Sequence, residues 1–294
     1  MTPTDLYLGE SRLAALAWGD PDAPTWLALH GWLDNAASFS RLAPLLAERL
    51  GIRVVALDFS GHGLSRRHPP GVDYAIWDYC HDVLDAMSTL ELETAPLLAH
   101  SMGAAVACLF SAGLPERVEQ LMLIDGLGTL TTEGKDTAQQ LRRGLLGHRR
   151  RRSLSPRYAD IESAVAARVA GGVTPIDADT AWPLVERNLE PLDDGHFRLR
   201  TDGRLLRPSL VRFCPEQVTG LLGAISAPSL LIEGESGILG ERDSAKQARA
   251  ALPGLERRVL SGGHHLHLER EVLAEVAENI AQWWQTVSLG VIEE

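Results

Sequence analysis

Five residues, Ala99-His100-Ser101-Met102-Gly103, carry the strongest chemical signal in the chain. The strand-like run at residues 96–99 leads into them, and the small-residue, helix-like stretch at 104–112 follows. A strand, a tight turn and a helix around x-Ser-x-Gly form a nucleophile elbow, which presents a serine hydroxyl at the end of a sheet. The turn strains the serine backbone, so the residues two positions away on either side must be small. Gly103 meets this on the helix side; on the strand side Ala99 replaces the usual glycine, the smallest departure available. The helix starts at the serine, so its positive N-terminal end faces any charge that develops there. The competing reading is a serine that only caps a helix, and it leaves the motifs below unrelated to one another.

Acyl transfer at such a serine needs two backbone N–H donors aimed at the oxyanion. One is expected from Met102, directly after the nucleophile. The other is expected from Trp32 in Leu29-His30-Gly31-Trp32, where Gly31 lets the chain turn close to the site. The Trp32 indole then forms a pocket wall, against the alternative of a plain core aromatic. His100, next to the serine, is also expected at the substrate. A general base must reach the serine from a flexible loop, and Gly262-Gly263-His264-His265-Leu266-His267-Leu268-Glu269 offers one. His264, immediately after the two glycines, is the candidate base. His264 and His267 stand three residues apart and invite a metal reading, but no carboxylate or cysteine accompanies them in a ligand spacing, so no metal is expected. His265 and His267 are expected to pack or to face solvent.

Positioning these groups requires a sheet. Strand-like runs at 13–18, 25–29, 52–57, 96–99, 121–124, 229–232 and 257–260 alternate with helical patterns, the signature of a mostly parallel sheet covered by helices. Leu42, Leu45, Leu46 and Leu50 form one helical stripe with Ser38 as its expected N-cap. Val272, Val276, Ile280 and Trp284 mark a closing helix. Residues 127–215 interrupt the alternation. They read as helical at 159–170, then as a hairpin around Asp193-Asp194-Gly195, and as an insertion forming a cap over the sheet's carboxyl edge. The core is expected at 1–126 and 216–294. Residues 141–152 hold six arginines (Arg142, Arg143, Arg149, Arg150, Arg151 and Arg152). They are read as a solvated helix face rather than a site for an acidic substrate.

The chain order Ser101, acid, His264 is that of the α/β-hydrolases, which the chain resembles over its whole length. The N-terminal third resembles the serine hydrolase-like proteins in particular. The residues that carry this are His30-Gly31-Trp32-Leu33-Asp34-Asn35, then Asp58-Phe59-Ser60-Gly61-His62-Gly63-Leu64-Ser65, then Gly71-Val72-Asp73-Tyr74. The resemblance implies an α/β-hydrolase fold: a mostly parallel eight-stranded sheet, helices on both faces and a mainly helical cap. It also implies a cofactor-free Ser/acid/His hydrolase, without specifying a substrate. Asp58 and His62 are expected to fix loops, and Asp34 and Asn35 to hold the oxyanion loop. Haloalkane dehalogenases and epoxide hydrolases of this fold use a carboxylate nucleophile, so Ser101 disfavours both.

The acid is the departure from the family pattern. Most relatives carry it a few residues after the seventh strand, in a pattern like Gly-Glu-x-Asp. Here that segment reads Ile232-Glu233-Gly234-Glu235-Ser236-Gly237-Ile238, with Gly237 where the aspartate would stand. The candidates are Asp125, which closes the sixth strand as in one group of haloalkane dehalogenases, Glu235 as the alternative, and Glu233 behind both. A purely structural Asp125 and a dyad without an acid remain open. The expected reaction is hydrolysis of a carboxylic ester or related acyl substrate through an acyl-enzyme. Two alternatives stand beside it: carbon–carbon bond hydrolysis of a dienoic ketone acid, which the arginine run would suit, and a non-catalytic ligand-binding protein.

Composition narrows the rest. The 294 residues suit one large α/β domain with an insertion. Hydrophobic residues at 45% and charged residues at 23% exclude a disordered or fibrous chain. With 28 basic and 39 acidic residues the net charge is −11. That charge repels phosphate backbones, so no nucleic-acid partner is expected. Cys80, Cys108 and Cys214 lie far apart and suggest neither disulfides nor a thiolate zinc site. The first residues lack a signal-peptide pattern, and no apolar run approaches the roughly 20 residues of a membrane span. A cytoplasmic protein acting on a small-molecule acyl substrate is expected; the sequence does not fix an oligomeric state.

Overall fold

Strands that are apolar throughout can be buried only if helices cover both faces of the sheet they form. The computed structural model describes residues 1–10, 12–149, 156–172 and 174–290 and has this layout. In chain order its strands and helices begin β1 (Thr4–Leu8), β2 (Leu13–Trp18), β3 (Thr25–Leu29), α1 (Leu42–Leu50) and β4 (Arg53–Leu57). They continue with α2 (Tyr79–Thr89), β5 (Ala95–His100), α3 (Met102–Gly113) and β6 (Val118–Ile124). After β6 come α4 (Thr137–Arg149), β7 (Arg157–Tyr158), α5 (Ile161–Gly171), α6 (Ala178–Asn188), β8 (Leu189–Pro191) and β9 (Phe197–Leu199). The chain closes with α7 (Pro215–Gly223), β10 (Ser229–Gly234), α8 (Asp243–Ala251), β11 (Glu256–Leu260) and α9 (Leu273–Gly290).

Eight strands form the main sheet in the order β1-β2-β4-β3-β5-β6-β10-β11. β1, β2 and β4 pair antiparallel in succession, and every pairing from β4 to β11 is parallel. The period-2 alternation of strand side chains splits the core in two. Leu97, Ala99, Leu121, Leu123, Val55 and Leu57 join one cluster with Val83, Val106, Leu222 and Ala248 from α2, α3, α7 and α8. Leu98, Met122, Ile124, Val54 and Ala56 join the other with Leu42, Leu46, Val276 and Ile280 from α1 and the α9 region. From β3 the chain goes to β4 on one side and to β5 on the other. That reversal makes the carboxyl ends of β3 and β5 the crevice where open α/β sheets bind ligands.

Three local readings change. β1 escapes the apolar-run criterion because it is a half-exposed edge strand. Ser38 does not cap α1: it lies in a 3₁₀ turn (Ala36–Phe39), and α1 begins after Arg41 without a side-chain cap. Leu45 is exposed on α1 while Leu42 and Leu46 are buried. Between β6 and α7 the chain forms the helices α4, α5 and α6 and a small antiparallel sheet, β7-β9-β8, whose β8–β9 hairpin turns at Asp193-Asp194-Gly195. Arg142, Arg143 and Arg149 are exposed on α4, and Arg150, Arg151 and Arg152 lie outside the described residues.

Candidate active site

Ser101 stands between β5 and α3 with φ 52° and ψ −113°. Such a conformation costs a non-glycine residue about 1–3 kcal/mol. The surroundings enforce it. The Ser101 amide donates to the Ile124 carbonyl at 3.1 Å, and Ala105 N–H closes the first turn of α3 onto the Ser101 carbonyl at 3.2 Å. A Cβ at Gly103 would collide with the Leu29 carbonyl oxygen, so glycine here lets α3 start hard against the end of β3. Ala99, the small residue on the strand side, is fully buried.

His264 arrives from β11, two strands away from β6. The loop after β11 crosses the end of β10, where a Cβ at Gly234 would strike the carbonyl oxygens of Gly262 and Gly263. Glu269 clamps the bend by accepting from the Gly263 amide at 3.0 Å. His264 Nδ1 donates to Asp125 Oδ2 at 2.6 Å, and Nε2 accepts from the Ser101 hydroxyl at 2.9 Å. The carboxylate partner thus selects the tautomer whose free nitrogen faces the serine. Asp125 is fully buried, follows β6 with φ 40°, and also accepts from the Ile238 amide at 2.8 Å.

Gly237 explains the missing aspartate of the usual pattern. A Cβ at that position would run into the Asp125 carboxylate. A side chain at 237 and a carboxylate at 125 compete for one volume. Glu235 is exposed. Glu233 is buried but accepts from Arg249 and Arg257, each at 2.9 Å. Neither glutamate is brought to His264 by a hydrogen bond.

The loop after β3 is pinned from below. His30 Nδ1 donates to the Gly31 carbonyl at 2.7 Å and Nε2 accepts from the Phe59 amide at 3.0 Å. Burial pushes the His30 imidazole down to about 4. It therefore stays neutral and serves as a fixed link. Asp58 accepts from the amides of Ala36 and Leu64 and pairs with Arg187 of α6. His62 is buried beside His30, and burial takes it down to about 3. Asn35 holds the loop to α6 by donating to the Leu184 carbonyl at 2.7 Å. Burial alone would raise the Asp34 carboxyl, but His265 and Arg168 beside it hold it below the usual carboxylate range.

An open cleft of about 1580 Å³ leads to Ser101, and Gly31, Trp32, Met102, His264 and His265 are among its walls. Trp32 is partly exposed there and its indole N–H donates to the Leu205 carbonyl at 3.1 Å. The Met102 amide, first in α3, has no carbonyl one turn back to bond within the helix. His100 is a correction. It does not line the cleft but lies wholly buried under it, its Nε2–H donating to the His264 carbonyl at 2.8 Å. Residue i−1 of the elbow is the last of β5 and points into the protein. His265 and His267 are also buried rather than solvated, bonded to Asp34 and to the Ser38 hydroxyl. Arg142, Arg143 and Arg149 do not line the cleft. All three cysteines are free thiols.

The fold is one that known proteins share. Residues 24–271 match the family model described as alpha/beta hydrolase fold. The chain belongs to the α/β-hydrolase family.

This hydrolase-fold chain is 32% identical over 269 residues to a serine hydrolase-like protein of Dictyostelium discoideum, covering 87% of this chain and 74% of that one. It is similar to the crystal structure of a hypothetical protein from Pseudomonas aeruginosa PAO1 at 41% identity and TM-score 0.87, covering 97% of this chain and 100% of that one. It is also similar to a thioesterase domain from the curacin biosynthetic pathway, at 25% identity and TM-score 0.79 over 96% and 99% of the two chains. Among the described residues, no helix is long and apolar enough to cross a membrane.

Sequence reasoning about this α/β-hydrolase misses two groups. Ile238 supplies the amide that steadies Asp125, and the only local sign is the glycine before it. Arg168 of α5 lines the cleft and reaches Asp34 Oδ1 at 2.8 Å across 134 positions of sequence, a distance no local pattern spans. Asp34, His100 and His265 also form a cluster that could hold a metal ion. Reading ligand spacing along the chain overlooks it, because its members come from three distant segments: the loop after β3, the end of β5 and the loop after β11.

Proposed function

We propose that this chain hydrolyses a carboxylic ester or a related acyl substrate through an acyl-enzyme on Ser101. The observation that carries the reading is the hydrogen-bond chain Ser101–His264–Asp125, with separations of 2.9 and 2.6 Å, opening onto the cleft. His264 removes the Ser101 proton as Oγ attacks the carbonyl carbon, and Asp125 stabilises the imidazolium that results. The oxyanion is received by the Met102 and Trp32 amides; losing one such donor costs about 2.7–4 kcal/mol of barrier lowering. His264 then protonates the leaving alcohol or thiol, and water repeats the steps to release the acid and free Ser101.

Residues 127–215 act as a cap. Its anchors are the bonds from Leu184, Leu205, Arg168 and Arg187 to the loops after β3 and β4. The thioesterase domain among the similar structures supports an acyl substrate. The described arginines of the run that favoured a carbon–carbon hydrolase do not line the cleft, so the run gives that alternative no support.

The test is a panel of p-nitrophenyl esters of increasing acyl length, assayed with the wild type and with Ser101→Ala. Turnover in the wild type that disappears in a folded Ser101→Ala protein is expected. No turnover of any ester by folded wild type, or turnover that survives the substitution, contradicts the proposal.

A further inference from the structure

We propose that Asp34, His100 and His265 bind a divalent transition-metal ion of the zinc class directly beneath His264. Asp34 Oδ2 lies 3.1 Å from His265 Nε2 and 3.7 Å from His100 Nδ1, and ligand atoms of all three fall within 4.8 Å of one another. Ligands about 2.0–2.1 Å from a tetrahedral ion stand roughly 3.3 Å apart, a separation these two distances bracket.

Two independent observations, the bonding of His100 and the contacts of Gly31, point at an ion between these groups. His100 Nε2–H donates to the His264 carbonyl, which leaves Nδ1 a bare lone pair; that atom is buried and has no hydrogen-bond partner among the described residues. It faces a carboxylate oxygen, which also has only lone pairs to offer, and a cation between the two satisfies both. A backbone carbonyl on the far nitrogen is also the outer-shell arrangement that orients metal-ligating histidines. Gly31 then covers the hollow: a Cβ there would sit 2.9 Å from His100 Nδ1 and 3.1 Å from Asp34 Oδ2, so any larger residue fills the space an ion needs.

Asp34 and His265 line the cleft, which supplies the entry path and a water as fourth ligand. On binding, the His265 proton moves from Nε2 to Nδ1, an atom with no other hydrogen-bond partner among the described residues. Arg168 stays on Asp34 Oδ1 and aligns the carboxylate, while its charge moderates affinity. The ion draws on His100, which grips the main chain of His264, and on His265, the next residue. A displacement of about 1 Å at a catalytic group can cost about 10²-fold, so an occupied site is expected to lower ester turnover.

Binding is read without reference to activity. Chelator-treated protein is titrated with Co²⁺, whose four-coordinate complexes absorb strongly in the visible, and Zn²⁺ is then added to displace it; Zn²⁺ affinity is measured by calorimetry. One equivalent of cobalt with that spectrum, displaced by zinc, is expected. Asp34→Asn and His265→Gln should weaken zinc by more than the roughly 10–100-fold typical of losing an outer-shell partner. Gly31→Ala, which keeps all three ligands, should abolish the cobalt spectrum. Ser101→Ala and Asp125→Asn should bind as the wild type does. No cobalt or zinc binding by the folded wild type overturns the proposal. So does binding that survives Asp34→Asn but is lost in Asp125→Asn, which assigns the ion to the Asp125–His264 pair. Circular dichroism confirms that each variant is folded.

Discussion

β6 and β10 are neighbouring parallel strands, and each carries a buried carboxylate at its end, yet the two carboxylates have different fates. Asp125, just past β6, meets an imidazole and one amide. Glu233, near the end of β10, meets two guanidinium groups. Burial is therefore not what makes a carboxylate a partner for a histidine; the neighbour it meets decides. The geometry behind the difference is the loop from β11, which passes over the end of β10 and delivers His264 above β6. Once Asp125 occupies that volume, position 237 can carry no side chain.

Four substitutions sharpen or break this comparison. Asp125→Asn is expected to lower kcat by about 10⁴ while leaving the protein folded, because the amide presents the wrong hydrogen-bond pattern to Nδ1–H. Steady-state ester kinetics check it. Gly237→Ala pushes a methyl group against the Asp125 carboxylate. A loss of about 10²-fold in kcat is expected there from misplacement of His264. Glu233→Gln removes the buried carboxylate that Arg249 and Arg257 share and leaves them only the exposed Glu241. The expected cost is at the lower end of the roughly 3–5 kcal/mol for breaking such a pair. Urea unfolding should register it while kcat of the folded enzyme stays near wild type. Glu235→Gln changes an exposed side chain, so ester turnover should be retained. Its stability should move by about 0.5 kcal/mol at most, the range of ordinary surface substitutions. Loss of turnover in Glu235→Gln together with an active Asp125→Asn would reverse the comparison.

What the sequence reveals of this molecule follows the range of each constraint. The elbow is legible because Ala99, Ser101 and Gly103 answer a steric demand within five residues. Six of the seven strand-like runs are legible because burial on both faces removes any need for polar residues; the seventh, β11, is a half-exposed edge strand with two arginines. β1, covered on one side only, carries no such mark. The vacancy at Gly237 is visible in sequence, but its cause is a carboxylate far back along the chain, so the segment around it cannot choose among Asp125, Glu233 and Glu235. His100 misleads for a related reason. Adjacency to Ser101 along the chain places it on the opposite side of the strand end, under the cleft rather than in it. The contacts of Arg168 and Arg187 with Asp34 and Asp58 join distant segments and leave no local pattern at all.

Ser101 is proposed to be made nucleophilic by His264, itself set by Asp125. Reaction with a fluorophosphonate followed by peptide mass spectrometry tests this most directly. One phosphonyl adduct per chain is expected, on the peptide containing Ser101, formed far more slowly in Asp125→Asn than in Glu235→Gln. Folded protein that takes up no label, or carries it on another residue, contradicts that assignment.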